Sequence, residues 1–211
     1  MSPPTSPASG MTGRANQKLR TRRAIVQAAA ELSRTGREVT MSEIAVAALV
    51  SEATAYRYFP DLVSLLQEAM AGQLPDPHEA LAGVEHSTDP VERVAAATEF
   101  LMRHVLARQG VVRAMIAGTI ARPDRSARPG LRFGLIDHAL APAVAAATDP
   151  PALEQLRRGL AVVVSAEALF NLTDLYGLDP EDAIASVVST ATALTRASLH
   201  PDTKPAADAR A

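Results

Sequence analysis

Five basic residues near the N-terminus form the first group whose spacing suggests a binding function. Within ten residues that contain no acidic side chain, the sequence places Arg14, Lys18, Arg20, Arg22 and Arg23. A cluster of this kind can neutralise the phosphates of a nucleic acid. It can equally be the solvated face of a helix or tail, so the cluster alone leaves both interpretations open.

Two short helices with the spacing of a helix-turn-helix are predicted C-terminal to this cluster. Thr40, with Glu43 three positions later, forms a capping box that opens a helix over residues 40–48. Ser51 caps a second short helix that ends at about Tyr58. In a helix-turn-helix the second helix lies in the major groove of DNA, where its side chains reach base edges.

The composition excludes several other classes of site. The 211-residue chain contains no cysteine, which excludes disulfides, thiolate zinc sites and iron–sulfur clusters. No nucleophile elbow, phosphate loop or metal-spaced motif is present, so we expect no catalytic residue, cofactor or metal. The net charge is −2, so an argument for nucleic acid must rest on where the charges lie.

The predicted fold class is all-α, because apolar residues recur at helical spacing and no alternating strand pattern occurs. The first helix is expected over about 17–35, and Pro60 with Asp61 opens a fourth helix. Three Asp-Pro pairs, each followed by an acid, mark further helix starts. Longer helices are expected at 90–108, 111–122, 130–147, 151–176 and 180–199.

These elements predict an N-terminal three-helix helix-turn-helix domain and a C-terminal helical domain. We expect a disordered tail at 1–13, the DNA-binding domain at 14–60, a ligand-binding and dimerisation domain at 61–200, and a second disordered tail at 201–211. Residues 122–130, with two prolines and three arginines, are expected to be a mobile loop. The N-terminal residues lack an apolar signal stretch and no run approaches the roughly 20 apolar residues of a membrane span, so a cytoplasmic protein is expected.

Two stretches of the sequence resemble a known family. TRRAIVQAAAELSRTG and VTMSEIAVAALVSEATAYRYFPDLVSLL are similar to the DNA-binding domain of the TetR family of bacterial transcriptional repressors. The resemblance rests on Ile44-Ala45, Val50-Ser51, Thr54 and Tyr56-Arg57-Tyr58-Phe59. It implies a homodimer that binds a palindromic double-stranded DNA operator and responds to a small-molecule effector held in the C-terminal domain.

The resemblance also implies which residues contact DNA. Glu52 can accept a hydrogen bond from cytosine N4, and the methyl group of Ala53 can contact a thymine methyl. Ala55 and Phe59 should point inward. The full set of expected DNA contacts is Arg14, Lys18, Arg20, Thr40, Ser51, Glu52, Ala53, Thr54, Tyr56, Arg57 and Tyr58.

Two residues depart from the family's pattern. Leu49 stands where the family has a glycine in the turn, and a left-handed leucine costs about 1–2 kcal/mol. Because Ala48 and Val50 flank it, we expect its side chain to be at least half-buried. Leu62 stands where the family has a lysine, which removes one phosphate contact, so weaker or more selective DNA binding is expected.

The C-terminal domain offers a set of candidate ligand-binding residues, although its aromatic and methionine side chains are more simply explained as core. Glu167, Asn171 and Asp174 fall on one face of the helix predicted at 151–176, and they face a polar pocket, a partner helix or water. His104 and His138 have no metal-spaced partner nearby in the sequence. The candidates are Phe100, His104, Met115, Phe133, His138, Glu167, Phe170 and Asn171.

The last helix is predicted to form the dimer interface that the resemblance implies. Its stripe of small and branched residues allows close approach of a second helix, although it could instead be intramolecular core. The stripe is Ala183, Ile184, Val187, Val188, Ala191 and Leu194. Two functional hypotheses compete with a repressor: a helical enzyme or ligand-binding module that does not bind DNA, with Glu167, His138 or His104 as acid or base, and a pure dimerisation module.

Overall fold

The computed structural model describes residues 9–71, 76–121, 131–146 and 149–199, and over these residues it contains helices and no strand. The predicted all-α fold class is therefore confirmed. The α-helices are α1 (Ser9–Ser33), α2 (Met41–Ala47), α3 (Glu52–Tyr58), α4 (Leu62–Ala71), α5 (Pro77–Ala80), α6 (Pro90–Ala107), α7 (Gln109–Ala121), α8 (Leu131–Ala146), α9 (Pro150–Val163), α10 (Ala166–Phe170) and α11 (Pro180–Leu199). The predicted loop at 122–130 and the tail at 201–211 lie outside the described residues.

The Asp-Pro helix starts are confirmed by their hydrogen bonds. Asp89 accepts from the backbone N–H of Val91, Asp149 from that of Ala152, and Asp179 from those of Glu181 and Asp182. In each case the carboxylate satisfies N–H groups that a helix start leaves without a partner.

Two predicted helix boundaries are wrong. Helix α1 begins at Ser9, so residues 9–13 of the predicted tail are helical; extending a helix that is already formed costs little. The helix predicted over 151–176 is interrupted, because Val164 ends α9 and Ser165 adopts an extended backbone. The Ser165 hydroxyl accepts from the N–H of Ala168 and so starts α10 as a new helix.

Contacts divide the chain into two compact units. The first contains α1–α4 together with α7, and the second contains α5, α6 and α8–α11. This grouping differs from the predicted boundary at residue 60, since α4 packs against α1 within the first unit. The core of the first unit contains Ile25, Ile44, Leu65, Leu66 and Met115.

Helix α7 approaches the end of α1 closely within this first unit. The N–H of Gly110 donates to the carbonyl oxygen of Gly36 at 3.1 Å. A Cβ at position 110 would lie 2.2 Å from the backbone of Arg37, so only glycine fits there.

In the second unit, α11 packs against α6 and α9. The stripe predicted as a dimer interface is used inside the chain: Ala183, Ile184, Val187 and Ala191 are buried in the single subunit. Leu194 lies against Gly159 of α9, where a Cβ would come within 2.8 Å of its side chain. The assignment of this face to the dimer was therefore wrong, and the alternative interpretation as intramolecular core is the one observed.

Candidate nucleic-acid interface

Helix α2 begins with the predicted capping box. The Thr40 hydroxyl accepts from the N–H of Glu43 at 3.2 Å, and the Glu43 carboxylate accepts from the N–H of Thr40 at 2.9 Å. Arg37 Nη1 donates to the same carboxylate at 2.6 Å. These hydrogen bonds lower the pKa of Glu43 to about 2, and the one from Arg37 contributes more than those from Thr40. Glu43 is therefore ionised at neutral pH, and the first helix of the pair has a fixed start.

The turn between α2 and α3 is a Schellman motif with leucine at its left-handed position. The N–H of Val50 donates to the carbonyl of Ala45 at 3.0 Å, and the N–H of Leu49 donates to that of Val46 at 3.1 Å. Leu49 has a φ of 57°, which is the geometry that favours glycine. Its side chain is 93% exposed, so the prediction that it is at least half-buried was wrong. The backbone here curls so that position 49 points away from the core into solvent.

Helix α3 has one buried face and one exposed face. Ala55 and Phe59 are buried in the core of the first unit, as predicted. The exposed face comprises Glu52, Ala53, Tyr56 and Arg57, while Thr54 and Tyr58 are half-buried. The four exposed side chains thus project from a helix whose opposite face is packed in the core of the first unit.

The hydroxyl groups at the helix starts are already engaged in caps. Ser51 Oγ accepts from the N–H of Thr54 at 3.2 Å and lies 2.9 Å from the Thr54 hydroxyl. The Thr40 hydroxyl donates to Glu43 at 2.9 Å. The structure therefore gives Thr40, Ser51 and Thr54 a structural task, and their contacts with DNA stay a prediction.

The basic residues of α1 divide into exposed and engaged side chains. Lys18 and Arg20 are exposed, and Arg20 Nη2 donates to Gln17 Oε1 at 3.2 Å. Arg22 forms an ion pair with Glu68 of α4, and its guanidinium lies 4.4 Å from the centre of the Phe59 ring. Arg22 therefore ties α1 to α3 and α4. The side chain of Arg14 lies outside the described residues.

Side chains of α1 and α3 line an open depression on the surface of the first unit. It is lined by Gln17, Lys18, Arg57 and Tyr58, with the Arg57 guanidinium 5.8 Å from the centre of the Tyr58 ring. Two cations, an amide and a phenol at one surface are suited to a phosphate group. Gln17 was not among the residues predicted to contact DNA; its position next to Lys18 on α1 was the available signal.

Leu62 has a packing role. Its side chain is half-buried against the core of the first unit at the start of α4. An apolar residue therefore packs at the position where the resemblance implies a lysine.

The candidate ligand residues lie at separate places. Met115 belongs to the core of the first unit, whereas the others lie in the second. Phe100 stacks on His104 with ring centres 6.2 Å apart, and Phe133 is half-exposed beneath the Arg132 guanidinium. The described contacts do not gather these side chains into one pocket, and their assignment to an effector stays a prediction.

Glu167, Asn171 and Asp174 do not share one α-helical face. Helix α10 ends at Phe170, which is buried, and residues Asn171–Leu175 form a π-helical turn. The wider turn changes the direction of the side chains that follow it. Glu167 is half-buried with a carboxylate oxygen 3.9 Å from Arg132 Nη1, while Asn171 and Asp174 are exposed in the single subunit.

Comparison with known proteins finds a similarity for residues 24–69, which lie in the first unit. Over the described residues, no helix combines the length and apolar character that a membrane span requires. Residues 24–69 match the family model described as bacterial regulatory proteins, tetR family. Neither the curated proteins nor the solved structures give a significant match. The matched residues run from α1 through the two short helices into α4, so this segment is similar to the N-terminal domain of the bacterial regulatory proteins of the tetR family.

Proposed function

We propose that this protein is a homodimeric transcriptional repressor of the tetR type. It recognises a palindromic DNA operator with α3 and releases that DNA when a small-molecule effector binds. The single observation that carries the DNA-reading part is the exposed face of α3, whose opposite face is buried through Ala55 and Phe59. A helix anchored in this way presents its side chains to a groove in a fixed orientation.

The side chains of this interface have distinct tasks. Glu52 and Ala53, at the start of α3, read base edges in the major groove. Lys18 and Arg57, the exposed cations that line the depression, contact phosphates, and the exposed Arg20 of α1 is a further phosphate contact. Tyr56 and Tyr58 donate their hydroxyls to phosphate or base, and Arg14 is a further proposed phosphate contact.

The capping residues contribute through the backbone they hold. Thr40, Ser51 and Thr54 fix the starts of α2 and α3. With leucine packed at position 62 and the negative charge of Glu52 beside DNA, binding is weaker or more selective than in family members that have a lysine there.

The dimer interface involves surfaces other than the buried stripe of α11. Val162 of α9, and Leu175 and Tyr176 after α10, are large apolar side chains that are exposed in the single subunit. Exposed apolar side chains on one unit support a protein contact there. Asn171 and Asp174 are exposed and precede Leu175 and Tyr176 in the sequence. A second copy that covered the apolar side chains would therefore also place a partner helix beside these two polar residues.

The effector acts by its preference between two conformers. It favours the conformer in which the two α3 helices are wrongly spaced for successive major grooves, and it shifts the population only by its differential affinity. Phe100, His104, Phe133, His138, Glu167, Phe170 and Asn171 remain the candidates in the second unit. The proposed location of this regulator is the cytoplasm, where its operator is.

Gel shift of the full-length protein with its own upstream DNA, across a salt series, tests the proposal. A regulator forms a specific complex that competitor DNA does not remove, and its affinity falls steeply with salt. A helical enzyme, a ligand-binding module or a pure dimerisation module forms none. Size-exclusion chromatography with light scattering measures whether the protein is a dimer.

Glu52→Gln tests the base-reading role of α3. The substitution exchanges a side chain that accepts from cytosine for one that pairs with adenine, so one position of each half-site should change its preferred base. The exposed Glu38, outside α3, provides a matched control, since Glu38→Gln removes the same charge from the first unit. An unaltered preference profile for Glu52→Gln would show that Glu52 reads no base.

A further inference from the structure

Three side chains with metal-binding chemistry meet in the second unit. His78 lies on α5, Glu85 follows the 3₁₀ turn Ala82–Val84, and His138 lies on α8. His138 Nε2 is 3.0 Å from Glu85 Oε2, and His78 Nδ1 is 3.4 Å from Glu85 Oε1. The nitrogen and oxygen atoms that these residues offer all lie within 4.8 Å of one another.

A buried arginine holds the two sides of this cluster in place. The Arg93 side chain is only 4% exposed, and its guanidinium donates to backbone carbonyls on both sides. Nη1 donates to the carbonyls of Val84 and Glu85 at 3.0 and 3.1 Å, and Nη2 donates to that of His138 at 3.0 Å. The backbones that carry Glu85 and His138 are thus fixed relative to each other by the protein itself. Two of the three residues of the cluster, Glu85 and His138, are therefore positioned before any ligand arrives.

The donor set selects a class of metal. Two imidazole nitrogens and one carboxylate oxygen suit Zn²⁺ and similar transition-metal ions, whereas Mg²⁺ and Ca²⁺ prefer oxygen ligands throughout. Three protein ligands leave one tetrahedral position for water. We propose that His78, Glu85 and His138 form a binding site for a divalent transition-metal ion of the zinc type.

The electrostatics of the cluster fit a carboxylate ligand and limit the affinity. Glu85 offers one carboxylate oxygen to each imidazole, Oε2 to His138 and Oε1 to His78. Metal binding replaces the hydrogen bonds between Glu85 and the imidazoles, and the imidazoles must bind as neutral ligands. Arg93 Nη2 lies 3.8 Å from Glu85 Oε2, and its positive charge opposes the incoming cation. The affinity is accordingly lower than in a closed structural zinc site.

This site goes beyond the proposed regulatory function, because metal binding requires neither DNA nor a second subunit. A bound ion would tie the segment that carries His78 and Glu85 to α8. It would therefore stabilise the second unit against unfolding in proportion to the concentration of free metal.

The test is a titration of the full-length protein with Zn²⁺ in competition with a chromophoric chelator, and with Co²⁺ as a spectroscopic probe. We expect one Zn²⁺ per chain and the intense visible absorption of tetrahedral Co²⁺. His78→Asn and Glu85→Gln should each weaken Zn²⁺ binding by more than about 100-fold. Changing a residue that only orients a metal ligand typically costs about 10–100-fold. Mg²⁺ in large excess should not compete.

His86 provides the matched control, since it is exposed and directly follows Glu85 in the sequence. His86→Asn should bind Zn²⁺ like the unmodified protein. His78 is 71% exposed, so circular dichroism of the metal-free variant should show an unchanged fold. Absence of saturable binding at one equivalent, an octahedral Co²⁺ spectrum, or equal loss in His86→Asn would each overturn the proposal. These results are obtained without DNA, so they are independent of the gel shift that tests the regulatory function.

Discussion

Replacing Leu49 by glycine should stabilise the first unit. Leu49 has a φ of 57° and occupies the left-handed position of the Schellman motif that ends α2. A residue with a Cβ is strained in this geometry by about 1–2 kcal/mol, and glycine is not. Because the leucine side chain is 93% exposed, its removal loses almost no buried surface.

The magnitude follows from two opposing contributions. Relief of the backbone strain stabilises the folded state, while the greater freedom of glycine in the unfolded chain costs about 0.4–1 kcal/mol. The free energy of unfolding should therefore rise by about 0.5–1 kcal/mol for Leu49→Gly. The backbone hydrogen bonds of Leu49 and Val50 are retained, because glycine keeps the same N–H groups.

Urea unfolding followed by far-UV circular dichroism, with hydrogen exchange to resolve the first unit, measures this change. Leu49→Ala is the matched control, since alanine removes the exposed side chain but keeps the Cβ that causes the strain. Its free energy of unfolding should stay within about 0.5 kcal/mol of the unmodified protein. If Leu49→Gly is destabilised, or if Leu49→Ala is stabilised equally, backbone strain at position 49 is not the reason.

Three further predictions concern DNA binding and pH. Tyr56→Phe should weaken operator binding by about 1 kcal/mol without lowering the thermal stability, because it removes one hydroxyl and keeps the exposed ring; an unchanged affinity would remove Tyr56 from the DNA contacts. Replacing Lys18 and Arg20 by alanine should weaken binding to all sequences alike and flatten the log–log salt slope by up to about 0.9 per lost contact; an intact slope would contradict their role as phosphate contacts. Glu43→Gln should lower the free energy of unfolding at neutral pH, because the folded-state pKa of Glu43 is lowered from its usual 4.5 to about 2. That stabilisation is present above pH 4.5 and is lost as the pH falls towards 2, so a difference between variant and parent that persists at low pH would contradict the assignment.

The parts of the fold that the sequence predicted correctly depend on neighbours along the chain. The capping box of Thr40 with Glu43, the cap at Ser51, and the inward face of Ala55 and Phe59 each involve residues within four positions of one another. Helix caps and helix faces are determined by local backbone geometry, so a pattern of residue types suffices to predict them. The match of residues 24–69 to the tetR family agrees with what these local patterns imply.

Features that depend on packing were predicted less well. The sequence could show that Leu49 stands in a turn, but whether its side chain is covered depends on where the chain places other helices. The apolar stripe of α11 was identified correctly as a close-packing surface, yet α6 and α9 of the same chain cover it. An apolar stripe indicates that a helix face is buried, but it does not indicate which other helix covers that face.

By itself, the sequence determined the helical fold class, the caps and the buried face of α3, whereas the tertiary structure decided which distant residues meet. His78, Glu85 and His138 show the difference, because no metal-binding spacing links them along the chain, and the packing of α8 beside the segment around Glu85 brings them together. Arg93 completes that arrangement by bonding to carbonyls on both sides. Local propensities act over a few residues, whereas contacts between helices require the simultaneous burial of several faces, and that requirement appears only in the folded chain.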